Sequence, residues 1–214
     1  MVLPPSSDIL ICMTIRAIIF DLGGVLLRTA DFSPRENLAG RLHMSRYALE
    51  EFIFGGESGN RAQKGEITIQ EHWENLRRQL DYSPQEFKAL LDEFFAHDEI
   101  DSALIKYLRK QHRTYKTALL SNAWNDLRQV ITTKWHFEDV FDIMIISAEV
   151  KMVKPDPRIF HLAVERLGVQ TSEAVFIDDV KENIEAARKE GLLAIHYQNT
   201  QQTLDELNHY LSDG

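Results

Sequence analysis

Two adjacent acids, Asp178 and Asp179, follow the apolar run Val175-Phe176-Ile177. One acid would suffice to cap the helix that comes next. Two side by side repel each other, and a hard divalent cation relieves that repulsion; Mg²⁺ is usually held by one or two carboxylates plus a phosphate. A third acid, Asp21, follows four consecutive apolar residues (Ala17 to Phe20) and precedes Gly23-Gly24. Such glycines let backbone N–H groups approach an anion with no Cβ in the way. The plainer alternative is a strand ended by an Asp-Gly type turn. Ser121 and Asn122 close the run Ala118-Leu119-Leu120. They either cap a helix or bind an anionic oxygen through a hydroxyl and a backbone N–H. Lys154 closes Met152-Val153 before Pro155. Most such lysines are simply solvated; this one is weighed as a phosphate ligand that also offsets the charge of Asp21.

An acid, a hydroxyl, a lysine and an acid pair, in that order and each after a strand-like run, form a specific set. With Leu120-Ser121-Asn122-Ala123-Trp124 and Val153-Lys154-Pro155-Asp156-Pro157-Arg158-Ile159-Phe160, the chain resembles the haloacid dehalogenase-like hydrolases from about Ile15 onward. It is most similar to members with a helical cap after the first strand. These include the phosphatase domain of soluble epoxide hydrolases and bacterial sugar-phosphate phosphatases. The resemblance implies that Asp21 is a nucleophile forming an aspartyl-phosphate, which divides one hard step into two easier ones. It implies Mg²⁺ held by Asp21, the Gly23 carbonyl and Asp179, with Asp178 acting directly or through water and Asn183 supporting the cluster. Gly23, Gly24, Ser121, Asn122 and Lys154 would hold the phosphoryl group of a small-molecule phosphate ester, a sugar phosphate being one candidate.

One position departs from that pattern. Most phosphatases of the superfamily carry a second Asp two residues after the nucleophile, as general acid and base; here the residue is Gly23. Such catalysis is worth about 10²–10⁴ in rate, against enzymic accelerations of phosphate monoester hydrolysis that reach ~10²¹. Its loss therefore need not abolish activity, because charge stabilisation and positioning supply most of the effect. Substrates with easily expelled groups, such as anomeric sugar phosphates and acyl phosphates, are expected to be favoured, unless a cap residue or water supplies the proton. The competing readings are a weak or inactive homologue that binds a phosphorylated ligand or a protein, and a 2-haloacid dehalogenase. The paired acids speak against the latter, and the missing acid speaks against a phosphomutase.

The elements that must position these groups alternate between strand and helix, which predicts a doubly wound, Rossmann-like parallel sheet of about five strands. Residues 15–31 and 98–214 form that α/β core. Residues 32–97 carry helix starts at Ser33-Pro34, Thr68-Ile69-Gln70-Glu71 and Ser83-Pro84-Gln85-Glu86 and no convincing strand, so they read as an inserted helical cap. Phe52 to Gly56 and Ser58-Gly59 are expected to form a loop within it. Of Phe52, Phe54, Glu57, Arg61, His43 and His72, one or two are expected to face the substrate. Trp73, Trp124 and Trp135 are expected to pack.

Length and composition fit one soluble domain with an insertion: 214 residues, 44% hydrophobic, 27% charged. A formal charge of -9 without a long basic run argues against nucleic acid or an anionic membrane as partner. No apolar run approaches the length of a membrane span. Cys12 is the only cysteine, which excludes an intrachain disulfide and fits a reducing, cytoplasmic setting. Residues 1–14 read as a leader expected to be mobile, and Met13-Thr14-Ile15-Arg16 looks like an alternative natural start that would leave residues 1–12 ahead of it.

Overall fold

The computed structural model describes residues 14–212. The expected leader up to residue 13, with Cys12, lies outside the described residues. Strand β1 (Ala17–Phe20) is buried along its whole length. After the turn that carries Asp21, strand β2 (Leu27–Thr29) leads into five helices: α1 (Ser33–Arg41), α2 (Arg46–Phe54), α3 (Gly56–Gln63), α4 (Ile69–Gln79) and α5 (Pro84–Phe94). Strand β3 (Asp98–Ile100) returns antiparallel to β2, with Thr29 opposite Asp98. The chain continues through α6 (Ser102–Gln111), β4 (Lys116–Ser121), α7 (Leu127–Val130), β5 (Ile143–Ile146), α8 (Ser147–Val150), α9 (Pro157–Leu167), β6 (Ala174–Asp178), α10 (Lys181–Lys189), β7 (Leu193–His196) and α11 (Thr200–Ser212).

The main sheet runs β5-β4-β1-β6-β7, with every pair parallel. Successive side chains of a strand point to opposite faces, and both faces are covered. Ile18, Phe20, Val175 and Ile177 join Leu104, Leu108 and Leu207 of α6 and α11 on one side. Ala17, Ile19, Ala174 and Phe176 join Ile159, Ala163, Ile184 and Ala187 of α9 and α10 on the other. This is a doubly wound, Rossmann-like fold. Strand order reverses direction at β1, so the carboxyl ends of β1, β4 and β6 open onto one crevice, where ligands of such sheets bind.

The helices between β2 and β3 have a core of their own, built from Leu38, Leu49, Ile53, Leu76, Phe87, Leu90 and Phe94. Arg35 is buried there without isolation. Its guanidinium donates to Phe94 O (3.1 Å), Glu50 Oε1 (3.2 Å) and Asp98 Oδ1 (2.7 Å), tying α1 to α2, α5 and β3. Thr68 and Ser83 form the capping boxes that the sequence predicts. Ser33 does not cap α1: it is the first helical residue, and Asp31 Oδ1 accepts from its N–H and hydroxyl instead.

Two further expectations fail. Phe52 to Gly59 is not a loop, because α2 runs to Phe54 and α3 starts at Gly56, with only Gly55 between them. Met152-Val153-Lys154-Pro155 is a turn after α8 and not a strand; two β-branched or flexible apolar residues are too short a run to separate the two. Helix α7 passes without a break into a π-helical turn over Ile131–Trp135, closed by His136 at φ 53, so the helical segment after β4 reaches Trp135.

His72 of α4 is fully buried. Its Nε2 lies 2.9 Å from Ile53 O, which can only accept, so Nε2 carries the proton and Nδ1 accepts from the Ser58 hydroxyl at 2.8 Å. Burial holds this imidazole below its ordinary value of 6.5. The unfolded chain therefore takes up the proton first, and stability is lost as pH falls below about 6.5 toward the depressed folded value. Between pH 7 and 5, wild type is expected to lose stability more steeply than His72→Gln, by up to about 1.4 kcal/mol per pH unit. Urea unfolding across that range checks this; parallel curves would remove His72 as the cause.

Candidate active site

Five segments converge at the carboxyl end of the sheet. Asp21 leaves β1, Ser121 ends β4, and Asp178 ends β6. Lys154 reaches in from the turn after α8, and its ammonium lies 2.9 Å from Asp21 Oδ1 and 2.6 Å from Asp178 Oδ2. Asn183, in the first turn of α10, donates to both Asp178 oxygens at 3.1 Å, and Val180 N–H donates to Oδ1 at 2.7 Å. Asp178 is thus fully engaged and fully buried. Asp21 Oδ1 also accepts from Leu22 N–H at 2.7 Å.

Asp21, Asp178 and Asp179 each offer a carboxylate oxygen within 4.8 Å of the others. Burial pushes Asp21 up to about 7; Lys154 pulls the other way, while Asp178 and Asp179 add to the rise. Burial also works against the ammonium of Lys154, but Asp21 and Asp178 outweigh it and hold the lysine above its ordinary range. Three carboxylates against one ammonium leave two excess negative charges when all are ionised. A divalent cation cancels that excess, and an all-oxygen donor set of this size suits a hard one.

Lys154 is therefore a counter-charge for two buried acids. Lys154→Met is expected to destabilise the fold by about 3–5 kcal/mol, the cost of breaking a buried pair. Urea unfolding without divalent cations measures this; a loss no larger than that of a surface pair, about 1 kcal/mol, would contradict it.

One expected phosphate contact is placed differently. The Gly24 N–H donates to Leu27 O at 2.9 Å, so it is not open to an anion. Gly24 serves sterically: it has φ +76, and a Cβ there would come within 2.0 Å of Asp179 Oδ2. Gly23 N–H has no partner among the described hydrogen bonds. The Asn122 side chain is spent on the main chain of Lys154, donating to its carbonyl (2.9 Å) and accepting from its N–H (2.8 Å). That leaves Asn122 only its backbone N–H for a ligand and makes its amide the clamp that sets the lysine. Ser121 lies buried at the strand end.

The helical insertion sits on this end of the core. Ser147, missed by sequence reasoning, accepts from Ala123 N–H (2.9 Å) and donates to Gln63 O (2.7 Å). Asn125 Oδ1 accepts from Ile69 N–H at 2.9 Å. Trp124 enters the insertion, stacked on Phe54 (ring centroids 5.7 Å, 16°) and edge-on to Trp73 at 4.9 Å. Of the six insertion residues singled out from sequence, His72 and Phe52 pack into its interior. Arg61 pairs with Glu66 at the surface. Glu57 is exposed in the first turn of α3, and His43 holds a left-handed turn after α1. Trp135 stacks on Phe137.

A family model described as haloacid dehalogenase-like hydrolase matches residues 15–191. The chain belongs to that family and is a hydrolase of it. It is 30% identical to Acyl-CoA dehydrogenase family member 10 of Mus musculus, over 90% of this chain and 19% of that protein. It is 29% identical to Bifunctional epoxide hydrolase 2 of Sus scrofa, over 91% of this chain and 38% of that protein. The chain thus spans well under half the length of these relatives. Among solved structures, the haloacid dehalogenase family enzyme bt-2542 of Bacteroides thetaiotaomicron, in complex with magnesium and inorganic phosphate, superposes with a TM-score of 0.72 and 26% identity, covering 89% of this chain and 98% of that one.

Proposed function

We propose that this protein is a Mg²⁺-dependent phosphomonoester hydrolase of a small phosphorylated metabolite, with Asp21 as nucleophile. The observation that carries the reading is the buried cluster in which Lys154 bridges Asp21 and Asp178 while Asp179 stands within 4.8 Å of both acids. The magnesium and phosphate bound by the Bacteroides relative support it.

Asp21, Asp179 and the Gly23 carbonyl would hold the cation, with Asp178 behind them. Bound there, Mg²⁺ supplies positive charge opposite the phosphoryl oxygens. Lys154 favours the ionised form of Asp21 and orients it, Asn122 holds Lys154, and the Ser121 hydroxyl with the backbone N–H groups of Asn122 and Gly23 are the donors for a phosphoryl oxygen. Asp21 forms a bond to phosphorus as the ester P–O bond breaks; water then cleaves the acyl phosphate and returns Asp21. The insertion acts as a cap.

With Gly23 in place of the usual acid, the leaving group must depart with little protonation, as from sugar 1-phosphates and acyl phosphates. A panel of these with sugar 6-phosphates, nucleotides and simple alkyl phosphates, run with and without Mg²⁺, tests the reading. Mg²⁺-dependent phosphate release, fastest on the first two, is expected. Ligand binding without turnover on any substrate would favour the non-catalytic reading, and equal rates on alkyl phosphates would remove the leaving-group argument.

A further inference from the structure

The three acids are not held alike. Asp178 is fixed by Lys154, Asn183 and Val180 N–H, and Asp21 by Lys154 and Leu22 N–H. No other residue donates to the carboxylate of Asp179 among the described hydrogen bonds, and it is the one exposed member of the group. Its oxygens lie against Gly24, where a Cβ would sit 2.0 Å from Oδ2. That contact limits where the carboxylate can go but does not hold it. The direction of a short side chain with no bond to another residue is set by its backbone.

One side chain grips that backbone. His196, half-buried at the end of β7, places Nε2 3.0 Å from Asp179 O. A carbonyl only accepts, so Nε2 is the donor. The register brings it there: Asp178 lies opposite His196, and Tyr197 N–H donates to Asp178 O at 2.9 Å. Gln202 donates from above to the carbonyl of His196 itself, at 3.4 Å.

We infer that His196 is a positioning residue, which sets the aim of Asp179 as a cation ligand by holding the Asp179 carbonyl from the edge strand. This rests on the metal reading proposed above. A group that orients a ligand from behind typically accounts for 10–100-fold in metal affinity.

The test is calorimetric titration of the whole protein with Mg²⁺ alone, in wild type, His196→Ala, His196→Phe and His196→Gln. Alanine and phenylalanine remove the donor, phenylalanine while keeping a ring; glutamine keeps an N–H donor. The expected result is Mg²⁺ affinity lowered about 10-fold or more in the first two variants and largely restored in the third, with metal-free melting temperatures of His196→Phe and His196→Gln alike. A purely structural role would shift those melting temperatures together with affinity and would not separate donor from non-donor. Wild-type affinity in both His196→Ala and His196→Phe overturns the inference while leaving the metal reading intact. Wild type that fails to bind Mg²⁺ overturns the metal reading and this inference with it.

Discussion

Asp21→Asn is expected to lower kcat on the best phosphate ester by a factor on the order of 10⁵–10⁶, the range seen when an essential nucleophile is removed. The substitution is nearly isosteric, and the surroundings tolerate it. Lys154 keeps its 2.6 Å contact with Asp178, so the lysine stays paired, and burying a neutral amide in place of an acid that burial already raises to about 7 removes a desolvation cost. The variant should therefore fold, and its failure would be chemical. Steady-state kinetics at saturating Mg²⁺, with circular dichroism as the folding control, decide the matter. Activity within tenfold of wild type would show that some other group attacks phosphorus.

Gly23→Asp carries the second large effect, and it is a gain. A Cβ built at Gly23 meets no atom within 4 Å, and the backbone there is not left-handed, so an aspartate enters without strain. Gly24, one residue on, has no such freedom, because a Cβ there collides with Asp179. An acid at position 23 lies two residues beyond the nucleophile. Turnover of alkyl phosphates, whose leaving oxygen needs a proton, is expected to rise about 10²–10⁴-fold, the usual worth of general acid catalysis. Acyl phosphates and sugar 1-phosphates should change little. Kinetics on matched pairs of alkyl and acyl esters check this. An unchanged alkyl rate in a folded variant would mean that another group already delivers the proton.

Much of this site was legible in the order of residues along the chain. Asp21, Ser121 and Asp178-Asp179 each follow an apolar run that became a buried strand, because a parallel strand covered on both faces needs no polar alternation. Lys154 was legible as a residue but not as an element, since its position depends on the Asn122 amide gripping its backbone from 32 residues away. The role of Gly24 was misread for a similar reason: a glycine turn offers N–H groups in principle, and only the fold shows that Leu27 takes this one. The β2–β3 ribbon escaped notice because three-residue strands carry too short a pattern to recognise. Ser147, Asn125 and His196 act through contacts made across the fold, and isolated polar residues carry no periodic signal at all.

The insertion leaves the core and rejoins it at directly opposed residues, Thr29 and Asp98. Departure and return points that touch impose almost no constraint on what is spliced between them, because closing a longer loop costs little more than closing a shorter one. The segment between Thr29 and Asp98 can therefore change in length or content at little cost to the sheet that positions Asp21 and Asp178.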